Sequence, residues 1–146
     1  MRFVLFAAVL IASPALAQRP AKPAPAPHPG AEVYQNICQA CHMANALGGE
    51  GAGKIPALAK NGALEAAVYP IMVVTGGKNA MPWFRGALTD QHISDAINYV
   101  RSNFGNKYKD KVTPAMVAEV SRHVRWVIKA VAAGSPDARH ADQFGT

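Results

Sequence analysis

The sequence predicts an all-α fold, with three main helices wrapped around one covalently held group and an amphipathic C-terminal helix beyond them. Three observations carry this. Apolar residues recur at helical spacing in the stretches Ala31–Cys41, Ala63–Thr75 and Thr89–Phe104. No stretch shows sustained period-two alternation, and no internal repeat is visible. Finally, Cys38-Gln39-Ala40-Cys41-His42 reads C-x-x-C-H. At that spacing two thiols add across the vinyl groups of one haem, and the next residue is held under the iron.

Two other readings of the motif are weaker. A redox C-x-x-C wants a thioredoxin-like βαβ pattern around it, which the chain lacks. Zinc would want a second Cys/His pair, and the sequence holds 2 cysteines in all. A stretch of this size is also small for a self-sufficient apolar core, and a haem fills such a core.

The elements follow in order. In the first helix Val33, Tyr34, Ile37 and Cys38 share a face. The glycine-rich stretch Met43–Lys60 has no periodicity and reads as a loop that can approach a porphyrin edge closely. Pro70 is expected to kink or split the helix in Ala63–Thr75, and Gly76-Gly77 to end it. Thr89 caps the next helix, Ile93, Ile97, Val100 and Phe104 line it, and Gly105 stops it.

The N-terminus reads as an export signal over residues 1–17. Arg2 opens it, Phe3–Ala12 is a short apolar run, and Ala15-Leu16-Ala17 is a small-x-small cleavage pattern. The run is too short to span a bilayer, which needs about 20 residues. Residues 18–29 alternate Ala and Pro and read as a stiff, extended linker, with His28 a bystander. The haem domain is expected over 30–110 and a C-terminal extension over 111–146. No other long apolar stretch occurs, so no transmembrane segment is expected in the mature chain. Cleavage removes one of 15 basic residues and none of 9 acidic ones, so the balance stays basic. A basic balance suggests an acidic partner surface, an anionic membrane or nucleic acid. Export and the lack of a basic cluster interleaved with aromatics argue against nucleic acid.

The iron needs a sixth ligand or an open face. Met43 adjoins His42 and cannot reach the opposite side. Met72 lies in an apolar helical run and reads as core filler. Met81 lies in irregular chain between Gly76-Gly77 and Pro82, where backbone can aim a thioether, and is the expected ligand. His92 is the rival, in the first turn of a helix.

The stretch Gly30–Asn106 resembles a class I c-type cytochrome of the small bacterial type. The residues that carry the resemblance are Gly30, Tyr34, Cys38-x-x-Cys41-His42, Gly51-x-Gly53, Ile55-Pro56-Ala57-Leu58, Gly76-Gly77, Met81-Pro82 with Phe84, and Asn98-Tyr99-Val100-Arg101-Ser102. It is similar to haem domains of periplasmic dehydrogenase cytochrome subunits and of some terminal oxidases. The resemblance implies a cytochrome c-like fold and one covalent haem c. It implies iron held by His42 and Met81, with the carbonyl of Pro56 accepting from the other nitrogen of His42. The implied role is single-electron transfer in the periplasm between redox proteins (a dehydrogenase, a cytochrome complex or an oxidase), not enzymatic turnover. A gas-binding or sensing protein with a displaceable sixth ligand is the alternative, as is a haem subunit of a larger complex. Lys54, Lys60, Lys78 and Arg85 are expected to rim the exposed haem edge and steer it to an acidic partner. Trp83, beside Met81, reads as packing around the haem.

The tail falls outside that family pattern. Thr113-Pro114 is a helix start and Gly134-Ser135-Pro136 a stop, which places an amphipathic helix over 114–133. Its apolar arc runs Met116, Val117, Val120, Val124, Val127, Ile128 and Val131, with Trp126 opposite among basic residues. That arc is expected to fold back on the haem domain, with a partner subunit or a membrane surface as other occupants.

Overall fold

Backbone contact between two helices sets the architecture. The computed structural model describes residues 28–50 and 53–134. The expected signal and most of the linker, and the chain beyond Gly134, lie outside them. Helix α1 (Pro29–Val33) runs through a π-helical turn (Tyr34–Cys38) into α2 (Gln39–His42). It starts earlier than Ala31, inside the expected linker. Pro29 needs no donor at the first position, and His28 Nδ1 accepts from the Gly30 amide at 3.1 Å. His28 is therefore a cap rather than a bystander. α1 crosses α4 (Asp90–Ser102) at Gly30, where a Cβ would fall 1.9 Å from the Asp95 carbonyl oxygen. Only glycine allows that approach.

Beyond α2 the chain reverses through Met43 (φ 66°) and forms a small hairpin, β1 (Gly49–Glu50) with β2 (Lys54–Ile55). Strands of two residues are too short to show alternation, so the spacing gave no sign of them. The Ala63–Thr75 stretch is divided. A 3₁₀ turn covers Gly62–Leu64, and α3 covers Val68–Gly76. Pro70 sits in the first turn of α3, where helix amides have no intrahelical partner, so it opens the helix instead of kinking it. Thr89 Oγ1 caps α4 by accepting from the His92 amide at 3.1 Å. Thr113 Oγ1 caps α5 (Pro114–Ala132) by accepting from the Met116 amide at 3.3 Å. α5 ends at Ala132, with Ala133 as its C-cap.

The interior consists of two clusters that share α4. Ile71, Ile93, Ile97, Val112 and Val117 form one. Tyr34, Ala46, Leu64 and Val100 form the other, flanked by Tyr99 and Phe104. The chain after α4 is fastened by side chains of α4 itself. Arg101, 1 % exposed, donates to the carbonyls of Leu64, Glu65 and Asp110 and to the Asp110 carboxylate. That guanidinium holds the exposed Asp110 carboxyl below its usual range. Asn98 pairs with both backbone groups of Val112. The boundary expected at residue 110 therefore does not separate two packed units. The first half of α5 packs on α3 and α4, with Val117 and Ser121 buried, and belongs to the same body.

Gly30→Ala should lower the stability of the holoprotein by about 2–3 kcal/mol, because neither backbone at the crossing can yield without moving a whole helix. Denaturant unfolding checks this. A midpoint within error of the parent would show that the crossing is looser than its geometry.

Candidate haem site

The C-x-x-C-H residues lie where α1 delivers them. Cys38 closes the π-helical turn and is half-buried, Cys41 is exposed on α2, and the two are not joined to each other. Burial pushes the Cys38 thiol up to about 11. The spacing puts the two thiols about one turn apart on one face, the separation needed to reach two vinyl groups of a single ring.

His42 ends α2 and is 7 % exposed. Its Nδ1 lies 3.1 Å from the Pro56 carbonyl oxygen. Burial lowers its pKa, and the Pro56 contact opposes this only in part. The ring is thus held neutral. With the Nδ1 proton donated to Pro56, Nε2 keeps a free lone pair for a metal. Gly48 makes this contact possible. It has φ 69°, and a Cβ there would fall 2.2 Å from the Ile55 carbonyl oxygen and 2.8 Å from that of Pro56. The Gly48 amide also donates to the His42 carbonyl at 3.2 Å. One glycine therefore joins the end of α2 to the segment that orients its imidazole.

Met81 lies after α3 in a tight turn. Lys78 and Met81 exchange both backbone hydrogen bonds, at 3.0 and 2.9 Å, across Asn79 (φ 52°) and Ala80. The Phe84 amide donates to the Val74 carbonyl at 2.9 Å and ties the far end of the loop back to α3. Met81 is half-buried in this double-pinned turn. The His42 and Met81 segments meet at one point, where a Cβ on Gly53 would lie 3.8 Å from that of Ala80. His92 is exposed on α4, with its amide taken by Thr89. Met72 is 38 % exposed and joins neither protein cluster.

The donor set fits a haem. It offers two thiols at the attachment spacing and an imidazole with one nitrogen engaged and one free, and Met81 adds a half-buried thioether in a turn closed by two backbone hydrogen bonds. Large apolar side chains stand exposed on the same segments. They are Leu47 after α2, Val68 and Met72 on α3, and Trp83 after Met81. Trp83, 70 % exposed, is not packed among the described residues. An apolar disc would take such surface out of water.

Two features were not legible in the spacing. Tyr34 is fully buried and its hydroxyl donates to the Met43 carbonyl at 2.7 Å, which closes the end of α2. Burial, with Cys38 and Tyr99 beside it, pushes its hydroxyl up to about 12. The demand of a buried tyrosine hydroxyl for a partner was the available signal. The basic rim is also smaller than expected. Arg85 is paired with Asp90 at 3.2 Å, and the Lys60 side chain lies along Gly105 at the end of α4. Lys54 and Lys78 flank the Gly53–Ala80 contact and remain exposed.

Residues 25–100 match the family model described as cytochrome c oxidase, cbb3-type, subunit III. Cytochrome c6 of Bumilleriopsis filiformis is 43 % identical over 77 residues, covering 50 % of this chain and 86 % of that protein. Cytochrome c6 of Synechococcus elongatus is 40 % identical over 75 residues, covering 49 % and 83 %. The alcohol dehydrogenase (quinone) cytochrome c subunit of Gluconacetobacter polyoxogenes is 31 % identical over 105 residues, 63 % of this chain and 22 % of that subunit.

Gly48→Val should release the Pro56 carbonyl from His42 and destabilise the holoprotein by about 2–3 kcal/mol. It should also raise the high-spin fraction of the ferric spectrum, since an unanchored imidazole binds iron less well. An unchanged spectrum and melting temperature would show that Gly48 plays no such part.

Proposed function

The chain belongs to the class I c-type cytochromes, electron carriers with covalently attached haem c rather than enzymes, and we propose that here Cys38 and Cys41 hold the haem while His42 and Met81 hold its iron. The observation that carries this assignment is the buried His42, its Nδ1 oriented by the Pro56 carbonyl at the end of the C-x-x-C-H helix. When bound, haem supplies one-electron redox chemistry at its iron. Everything else falls to the chain. His42 keeps Nε2 free because Nδ1 is engaged. The Lys78–Met81 turn fixes the thioether in one place, so little has to move when charge changes. A thioether favours the reduced metal and raises its potential. With His42 and Met81 both holding the iron, no site would remain at the metal for a substrate.

The partners are redox proteins, and we read Lys54 and Lys78 as the docking patch for an acidic surface on one of them. The dehydrogenase subunit among the relatives supports a dehydrogenase as the donor class. The leader over residues 1–17 supports a location outside the cytoplasm, in the periplasm.

Two outcomes test this. The ferric holoprotein should show the weak near-infrared band of thioether ligation and the ferrous holoprotein no spectral response to carbon monoxide, while Met81→Ala should lose the band and, once reduced, bind the gas. Ready binding by the parent protein would overturn the ligand set and favour a gas-binding role. Separately, Lys54→Glu/Lys78→Glu should slow reduction by the native donor about tenfold at low salt. The gap should close as ionic strength rises, because such attraction is screened beyond about 10 Å at 0.1 M. Rates indifferent to salt and to charge reversal would remove the docking patch.

A further inference from the structure

The end of α5 leaves the body that its first half packs against. Val117 and Ser121 are buried, Val120 is partly buried, and a Cβ on Gly76 would touch Val124 Cγ1 at 3.0 Å. Past Val124 no side chain is fully buried, and Val127 and Ala130 are only half-buried. Trp126 is 52 %, Ile128 51 % and Val131 58 % exposed.

The free turns are sharply two-sided. At about 100° per residue, Trp126, Ala130, Val127, Val131 and Ile128 fall in one arc of roughly 200°. Arg122, Arg125 and Lys129 fall together on the other side. Trp126 is at the seam between the two arcs, not at the centre of the basic one, and its ring stacks on His123 with centroids 6.0 Å apart. His123 intrudes on the apolar arc, as does Glu119 one turn earlier. Glu119 is bound to Arg122, so no free carboxylate faces the basic arc from α5 itself. Exposed Met116 extends the apolar flank to the first turn of the helix.

We propose that this helix end is a docking element for an anionic lipid surface. The apolar arc enters the acyl boundary, Trp126 sits at headgroup level, and Arg125 and Lys129 meet the lipid phosphates. A second copy of the chain is a poor occupant. Two such ends would bring like charges together, and one face of these turns offers roughly 200 Å². A stable protein pair covers about 800 Å² on each partner. A lipid surface needs no such area, since reversible binding sums a few apolar insertions with the pull of anionic headgroups. No helix among the described residues is long and apolar enough to cross a membrane, so the contact is with the surface. The effect would be to hold the carrier in the plane where membrane-bound redox proteins lie, whichever ligands hold its iron.

Sedimentation of the holoprotein with lipid vesicles tests this, with bound protein read from haem absorbance. It should sediment with phosphatidylglycerol/phosphatidylcholine vesicles at about 20 mM salt and be released by high salt, and should stay in solution with pure phosphatidylcholine. Trp126→Ala/Ile128→Asp and Arg125→Glu/Lys129→Glu should each weaken binding about tenfold, with haem spectrum and melting temperature unchanged. Undiminished binding of the Trp126→Ala/Ile128→Asp protein would overturn the proposal, because adsorption would then belong to the basic haem domain. Failure to sediment even at low salt would also overturn it and leave the helix end to a protein partner.

Discussion

Direct backbone contact between α1 and α4 at Gly30 is the constraint from which the other positions follow. A Cβ there would fall 1.9 Å from the Asp95 carbonyl oxygen, so no side chain separates the helices. The crossing fixes the start of α1, and through the π-helical turn it fixes where Cys38, Cys41 and His42 emerge. Tyr34, one turn further on, closes against Tyr99 and Phe104 with ring centroids 5.7 and 4.9 Å apart. From α4, Asn98 and Arg101 reach out to hold the chain that leads into α5. One helix therefore supports both the attachment segment and the tail.

An electron carrier benefits from this arrangement because charge transfer is cheap only where little relaxes afterwards. The two residues proposed to hold the iron stand on segments pinned by hydrogen bonds to backbone. His42 is oriented by the Pro56 carbonyl, which Gly48 lets approach, and Met81 sits in a turn closed from both ends. The two small apolar clusters flank α4 and leave Leu47, Met72 and Trp83 outside. Those residues belong to the segments that bear the ligands, which is where an apolar cofactor completes a small core.

Much of this was legible in the sequence because it is local. The C-x-x-C-H spacing, the Thr89 and Thr113 caps, and Pro114 at the head of α5 are short-range signals, and the helices follow them. Local rules failed where a distant group decides. Pro70 looked like a break within a helix because the 3₁₀ turn before it, closed by Asn61 Oδ1 on the Ala63 amide, has no periodicity of its own. The boundary at residue 110 looked real because the tail beyond it falls outside the family pattern. The bonds from Arg101 to Asp110 and from Asn98 to Val112 that erase it are side-chain contacts without a spacing signature. Trp126 looked like an outlier opposite the apolar arc. Once the first half of α5 is buried, the arc left free is recentred, and Trp126 lies on its margin.

The claim on which the account rests is that His42 and Met81 are brought to one iron by two separately pinned segments. Proton NMR of the reduced holoprotein with methyl-labelled methionine tests it most directly, since a thioether bound to haem iron lies in the ring current and its methyl signal moves far upfield. The account predicts one such signal, assigned to Met81 by its loss on substitution, with Met43, Met72 and Met116 in the ordinary range. An upfield signal from another methionine, or none at all, would contradict it.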